Sequence, residues 1–271
     1  MPEPREHTAE IDGIPVFWRS ADASAAAVPL YLHGVPTSSD DWLPFLSAGG
    51  GIAPDLPGFG RSGKPATRHY DIAEYDAFLE RFLDHVEVER VSLVVHDWGG
   101  VGLVFAQRCP DRVERLVVIN CVPLLPGYRW HRTAKIWRTP VLGELFQGTV
   151  NATTLRLVSR ESNATPGPMP QEWQRSVLEH FDHGTQRAIL RLYRSSPPDV
   201  LARAGANLAK LDVPALVVWG NRDPYIPARF GAAYAAALPH GELVALDDAG
   251  HWPWLDRPDL IERVTSFVAG G

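Results

Sequence analysis

Cysteine, long apolar runs and clusters of basic residues are all scarce in this sequence. Only Cys109 and Cys121 are present, too few for a disulfide framework and without metal-ligand spacing, so we expect two buried small side chains. No apolar run approaches the roughly 20 residues that span a bilayer, and residues 1–10 lack the apolar core of a signal peptide. We therefore expect a cytoplasmic protein with reduced thiols and no membrane partner.

Charge and composition narrow the class of protein further. The formal net charge is −6, from 26 Lys and Arg against 32 Asp and Glu, and no basic cluster accompanies it. This balance argues against a nucleic-acid partner. With 45% hydrophobic and 21% charged residues, the chain has the composition of a packed domain rather than a disordered one. Its 271 residues suffice for one large domain or for a core with an inserted lid.

Short apolar runs alternate with amphipathic stretches along most of the chain. This pattern predicts the α/β class, with a mostly parallel sheet flanked by helices. Apolar residues recur at helical spacing over 72–86, and a closing helix is predicted over 260–268. Seven runs are predicted as strands: 14–18, 29–32, 51–53, 91–95, 115–119, 215–219 and 242–246.

The pattern changes between Cys121 and about Leu208. Strand-like runs disappear there, residues 164–170 are rich in proline, and several large aromatic residues occur: Tyr128, Trp130, Trp137, Trp173 and Tyr193. Because a segment of this length is too long for a structureless loop in a compact domain, we predict helices. The expected organisation is a core domain of residues 1–122 and 209–271, with an inserted helical cap of residues 123–208.

One strand ends in residues typical of a nucleophile on a tight turn. The sequence His96-Asp97-Trp98-Gly99-Gly100 follows a buried apolar run. Small residues allow such a turn to close, and the N-terminus of the next helix stabilises negative charge. Asp97 in this setting is either a helix N-cap or a nucleophile at the position where serine is usual.

An acid and a histidine follow two later predicted strands. Asp223 lies in Trp219-Gly220-Asn221-Arg222-Asp223-Pro224, and His251 lies in Asp248-Ala249-Gly250-His251. Either residue alone is typical of a turn. Because the carboxyl ends of parallel strands meet at one edge of a sheet, we expect Asp97, Asp223 and His251 to converge there, in the chain order nucleophile, acid, histidine.

Two loops after early strands complete the pattern. Gly34 and Pro36 in Leu32-His33-Gly34-Val35-Pro36-Thr37 permit a tight turn, so the backbone N–H groups of Val35 and Trp98 are predicted to form an oxyanion hole. The glycine-rich loop 53–62 lacks the Lys-Ser/Thr ending of a phosphate-binding loop, which argues against nucleotide binding.

These motifs together resemble α/β-hydrolases of the epoxide hydrolase and haloalkane dehalogenase group. The resemblance covers nearly the whole chain except the predicted cap. It implies that Asp97 attacks an electrophilic carbon and forms an alkyl-enzyme ester, and that His251 then activates the water that hydrolyses this ester. Asp223 would orient the imidazole. The substrate would be a small apolar molecule, and no metal or other cofactor is implied.

The resemblance leaves the leaving group open. Epoxide hydrolases protonate the alkoxide with two lid tyrosines; Tyr193 resembles the second, and no tyrosine occurs where the first is expected. Haloalkane dehalogenases bind the halide through N–H donors, a role open to Trp98 and the lid residue Trp137, whereas Val35 replaces the Asn or Glu common in that family. We favour an epoxide hydrolase, with a haloalkane dehalogenase as the alternative.

Three further side chains are assigned to the substrate pocket. His33, Pro36 and Trp252 are predicted to line it together with Trp98 and Trp137. A second alternative function is a non-catalytic small-molecule-binding protein on the same fold. The intact nucleophile, acid and histidine argue against that alternative, because a receptor needs none of the three.

Overall fold

Eight strands form one sheet in this computed structural model, which describes residues 4–270; Met1, Pro2 and Glu3 of the predicted polar N-terminal stretch lie outside the described residues. The strand order is β1-β2-β4-β3-β5-β6-β7-β8, with β2 antiparallel to β1 and β4 and the later neighbours parallel. The strands are β1 (Arg5–Ile11), β2 (Ile14–Ala21), β3 (Val28–Leu32), β4 (Gly51–Pro54), β5 (Val91–Asp97), β6 (Val113–Cys121), β7 (Pro214–Gly220) and β8 (His240–Leu246). The predicted fold class is confirmed.

All seven predicted strands are present, and the prediction missed β1. The central strand β5 is buried along its whole length, with Leu93 packed on one face of the sheet and Val94 on the other. Such a strand is recognisable because residues 91–95 form a continuous run of apolar or small residues. In the edge strand β1 only Ile11 is fully buried, so its sequence carries almost no hydrophobic alternation.

Helices cover both faces of the sheet. In α2 the side chain of Asp71 caps the first turn, and the apolar face packs on the sheet. Cys121 is buried as predicted, whereas the prediction was wrong for Cys109, which is only partly buried beside Arg108 where α3 ends. The core helices are α1 (Leu43–Gly49), α2 (Ile72–His85), α3 (Gly102–Arg108), α10 (Arg229–Ala237), α11 (Pro253–Asp256) and α12 (Asp259–Ala269).

Six helices lie between β6 and β7, and the described residues between these strands contain no strand. They are α4 (Arg132–Arg138), α5 (Leu142–Gly148), α6 (Ala152–Val158), α7 (Gln171–His180), α8 (His183–Ser195) and α9 (Pro198–Ala204), and we call them the cap helices. Polar contacts join them to the core: Lys64 pairs with Asp182 at 2.9 Å, and the hydroxyl of Thr185 donates to the carbonyl of Gly58 at 3.0 Å. The inserted segment is therefore helical, and its division from the core at 123–208 stays a prediction. Within residues 4–270, no helix combines the length and the apolar character that crossing a membrane requires.

Candidate active site

Asp97 lies on a strained turn between β5 and a short 3-10 helix that precedes α3. Its backbone φ of 47° and ψ of −119° are unusual for a residue with a side chain, and such strain is common at functional sites. Gly34 lies against it, because a Cβ atom at Gly34 would be 2.6 Å from Oδ1 of Asp97. The glycine therefore allows the loop after β3 to approach the carboxylate closely.

Two backbone N–H groups point at the Asp97 carboxylate. The N–H of Val35 donates to Oδ1 at 2.9 Å, and the N–H of Trp98, the next residue in the chain, also favours the ionised carboxylate. Burial raises the pKa of Asp97 above its ordinary value, while His251 and the two N–H groups act in the opposite direction. The structure thus brings together the three groups that the sequence assigned to nucleophile and oxyanion hole.

His251 is held between two carboxylates. Its Nδ1–H donates to Oδ2 of Asp223 at 2.7 Å, and its Nε2 lies 3.6 Å from Oδ2 of Asp97. Burial alone would lower the pKa of His251, but the carboxylates of Asp223, Asp97 and Asp41 outweigh it and raise that pKa above its ordinary value. The imidazole is 2% exposed, so its orientation is fixed by these partners rather than by solvent.

Asp223 is itself fixed by donors from the loop after β7 and from β6. Its Oδ1 accepts from the backbone N–H groups of Tyr225 at 2.7 Å and Ile226 at 3.0 Å, and its Oδ2 accepts from Nδ2 of Asn120 at 2.8 Å. Asn120, near the end of β6, was missed by sequence reasoning. The signal was a polar residue within the apolar run Val118-Ile119-Asn120-Cys121, since a buried amide needs a hydrogen-bond partner.

An apolar cavity of about 760 Å³, counting its open mouth, lies next to Asp97 and His251. Pro36, Trp137 and Trp252 line it as predicted, and so does Tyr193. The cap helices supply part of the remaining wall, including Phe146, Gln147, Leu155 and Val158. A mostly apolar cleft with a few converging polar groups is typical of a small-molecule site.

Two predicted pocket side chains lie elsewhere, which corrects the prediction. His33 is fully buried below the loop, where its Nδ1–H donates to the carbonyl of Gly34 and its Nε2 accepts from the N–H of Leu56. The indole of Trp98 is also outside the cavity lining, because the rings of Trp130 and Tyr193 cover it at centroid distances of 5.6 and 5.2 Å. His33 positions the loop, and Trp98 contributes its backbone N–H.

Tyr193 lies close to the nucleophile. Its ring packs edge-on against the indole of Trp98, with the two ring centroids 5.2 Å apart. Burial and the nearby Asp97 carboxylate raise the pKa of the phenol well above its ordinary value. The hydroxyl is therefore a neutral proton donor near the carboxylate at physiological pH.

Two other polar side chains of the cavity were missed by sequence reasoning. His131 caps α4 by accepting the N–H of Ala134 at Nδ1, and burial lowers its pKa to about 4, so it is a neutral imidazole. Tyr225 packs edge-on against His251 and exchanges a hydrogen bond with the hydroxyl of Ser162 at 2.8 Å. Both positions depend on loop packing, which leaves no periodic pattern in the sequence.

Comparison with known proteins places the chain in a family. A family model described as alpha/beta hydrolase fold matches residues 30–258. The chain belongs to that family. This α/β-fold hydrolase is 30% identical to a haloalkane dehalogenase of Bradyrhizobium diazoefficiens, over 97% of its own chain and 93% of the relative. It is 31% identical to a cis-3-alkyl-4-alkyloxetan-2-one decarboxylase of Xanthomonas campestris pv. campestris, over 94% and 93% of the two chains.

Solved structures agree with this assignment. The α/β hydrolase superimposes on the haloalkane dehalogenase DbeA of Bradyrhizobium elkani with a TM-score of 0.85 and 27% identity, covering 98% of each chain. The epoxide hydrolase CorEH superimposes with a TM-score of 0.84 over 98% of each chain, but at 23% identity this likeness concerns the fold alone. The predicted membership of the epoxide hydrolase and haloalkane dehalogenase group is confirmed, and so is the predicted enzyme class.

Proposed function

We propose that this α/β-fold hydrolase converts a small apolar epoxide into a vicinal diol through a covalent ester on Asp97. The ionised Asp97 attacks one ring carbon, so a C–O bond to the enzyme forms as the ring C–O bond breaks. Tyr193 gives its hydroxyl proton to the departing oxygen, which becomes the first hydroxyl of the product.

The second step is hydrolysis of the ester. The Nε2 atom of His251 takes a proton from water, and the resulting hydroxide adds to the ester carbonyl of Asp97. The N–H groups of Val35 and Trp98 stabilise the tetrahedral oxyanion, while Asp223 stabilises the imidazolium. Cleavage of the ester C–O bond releases the diol as its second oxygen takes a proton from the imidazolium. Hydrolysis leaves Asp97 as a carboxylic acid, whose proton returns through solvent to the Tyr193 phenolate, so that both groups are regenerated and one water is consumed overall.

The position of Tyr193 is the observation that carries the choice of an epoxide. A departing alkoxide needs an acid, and the phenol of Tyr193 lines the cavity together with Asp97 and His251 and packs against Trp98, the residue that follows the nucleophile. The Xanthomonas relative is named for a reaction of an oxetan-2-one, which like an epoxide is a strained ring that contains oxygen. Tyr193 lies in α8, one of the cap helices, so in this proposal the core carries the nucleophile and the cap carries the proton donor. This division of roles supports a separate cap domain at residues 123–208.

Haloalkane dehalogenation is the second candidate. The indole N–H of Trp137, in the wall of the cavity, is buried without a hydrogen-bond acceptor among the described residues, and a halide needs such a donor. The relatives named haloalkane dehalogenases support this candidate as well. Both reactions proceed through the Asp97 ester. They differ only in the cap residue that stabilises the leaving group: a phenol that protonates an alkoxide, or an indole N–H that binds a halide.

A pair of cap variants distinguishes the two leaving groups. For an epoxide hydrolase, Tyr193→Phe lowers kcat/KM for styrene oxide about 10²-fold, because the proton donor is lost. For a dehalogenase, Trp137→Phe lowers kcat/KM for 1-bromobutane about tenfold, because a halide donor is lost. Diol formation and bromide release are the measurements for the two substrates.

Tyr128→Phe is the matched control for the cap variants. The hydroxyl of Tyr128 has no hydrogen-bond partner among the described residues, and this side chain lies outside the cavity lining. We expect it to leave both activities unchanged. One result would contradict the epoxide proposal and favour the dehalogenase. In it, the wild-type enzyme releases bromide and forms no diol, Tyr193→Phe keeps bromide release, and Trp137→Phe loses it.

A further inference from the structure

The cap wall of the cavity contains a buried amide without partners. Gln147 lies in α5, lines the cavity and is 1% exposed, yet neither its Oε1 nor its Nε2 has a hydrogen-bond partner among the described residues. Leaving both polar atoms of a buried amide unpaired is costly, and native structures rarely do so without a reason. A bound ligand that supplies the missing partners is such a reason.

Two charged residues on the outer side of Gln147 are paired with each other. Gln147 also borders an outer groove that contains Glu144 and Arg194. Both carboxylate oxygens of Glu144 accept from the guanidinium of Arg194, at 2.7 and 2.8 Å. Glu144 and Arg194 therefore bind each other and not the amide of Gln147, which also lines the cavity and is available to a ligand there.

Trp137 supplies a second unpaired donor on the same wall. It lies in α4, which packs against α5, and its Nε1–H is buried with no acceptor among residues 4–270. The ring centroids of Trp137 and Tyr193 are 4.8 Å apart, and Tyr193 in turn packs against Trp98 beside the nucleophile. Trp137 and Gln147 thus belong to the cap side of Tyr193, and the epoxide chemistry requires neither of them.

We propose that Gln147 and Trp137 form a polar subsite that binds an amide group carried by the substrate at some distance from its electrophilic carbon. The carbonyl oxygen of that amide accepts from the Nε1–H of Trp137 and from the Nε2–H of Gln147, while its N–H donates to Oε1 of Gln147. Only a ligand group with both a hydrogen-bond acceptor and a donor can pair with the two N–H donors and the Oε1 acceptor of this subsite. The inference rests on the proposed function, since it extends the substrate bound at Asp97, and it makes the substrate an amide-bearing epoxide.

Matched substrate pairs test the subsite. Each pair consists of an epoxide joined through one to five methylenes to a primary amide, and the isosteric epoxide with an isopropyl group in its place. We expect the ratio of kcat/KM between amide and isopropyl compounds, at the best chain length, to fall about tenfold in Gln147→Leu. The control Gln171→Leu, an exposed glutamine of α7, leaves the ratio unchanged. An unchanged ratio in Gln147→Leu at every chain length would overturn the subsite.

A binding measurement separates the subsite from the proposed reaction. Hexanamide carries the amide without an electrophilic carbon, and calorimetry should show that it binds Gln147→Leu about tenfold more weakly than the wild type. The Tm of Gln147→Leu should not fall, because the substitution removes two unpaired polar atoms and keeps the volume; Gln147→Met repeats the test if leucine impairs folding. If epoxides are not converted but hexanamide binding depends on Gln147, the proposed reaction is wrong and the subsite stands. Equal hexanamide binding in both proteins contradicts the subsite.

Discussion

A His251→Gln variant mixed with an epoxide substrate is expected to gain the mass of one substrate molecule and to retain it. The first step needs only the Asp97 carboxylate and the Tyr193 proton, so the ester still forms. The second step loses its general base, and because such a base contributes about 10²–10⁴-fold, we expect ester hydrolysis to slow by about 10³-fold. Mass spectrometry of the intact protein measures the adduct directly.

A double variant supplies the control for this experiment. Asp97→Asn combined with His251→Gln lacks the attacking carboxylate, so it should show no adduct under the same conditions. An adduct in the double variant would mean that another side chain reacts with the epoxide. A His251→Gln protein that folds normally, forms no adduct and still produces diol would contradict the assignment of His251 as the base of the second step.

Replacement of the nucleophile itself is expected to have the largest effect on turnover. Asp97→Asn should lower kcat by at least about 10⁴-fold, because a neutral amide oxygen is a far weaker nucleophile than a carboxylate. Asp111→Asn, at an exposed aspartate, is the matched control and should retain full activity. Wild-type kcat in Asp97→Asn would rule out the covalent ester.

The same variant has a second readout that does not depend on activity. Asp97 is one of the carboxylates that raise the pKa of His251, so removal of its charge should lower that pKa. At a fixed pH near neutrality the imidazole is then neutral in a larger fraction of molecules. An NMR titration of His251 measures this, and an unchanged or higher pKa in Asp97→Asn would contradict the observed proximity of the two groups. Ester formation neutralises Asp97 in the same way, which favours a free base at the step that needs one.

The core of the fold and the converging triad could be predicted from the sequence because they depend on local patterns. Strands buried on both faces appear as continuous branched runs, and the side chains that follow them meet at one sheet edge. Asp97, Asp223 and His251 are therefore placed by sheet topology alone. The edge strand β1 was not predictable, because it buries little apolar surface on either face.

The walls of the cavity were predicted less well, because packing between cap helices determines them. Tyr193 and Trp137 were found through a family resemblance and an aromatic-rich segment, yet the same reasoning placed the side chains of His33 and Trp98 in the pocket. His33 follows a strand as catalytic residues do, but its ring turns inward to bind the backbone of Gly34 and Leu56. Gln147 and His131 carry no sequence signal, since only the assembled helices bring them to one surface.

Transfer of heavy oxygen from water to the Asp97 carboxylate is the most direct test of the ester mechanism. The wild-type enzyme turns over an epoxide in heavy-oxygen water, is digested, and the peptide containing Asp97 is examined by mass spectrometry. The mechanism predicts label in that carboxylate after repeated turnovers, and a first-turnover diol whose new oxygen comes from the unlabelled enzyme. Diol labelled from the first turnover, together with an unlabelled Asp97 peptide, would mean that water attacks the substrate directly and would contradict the mechanism.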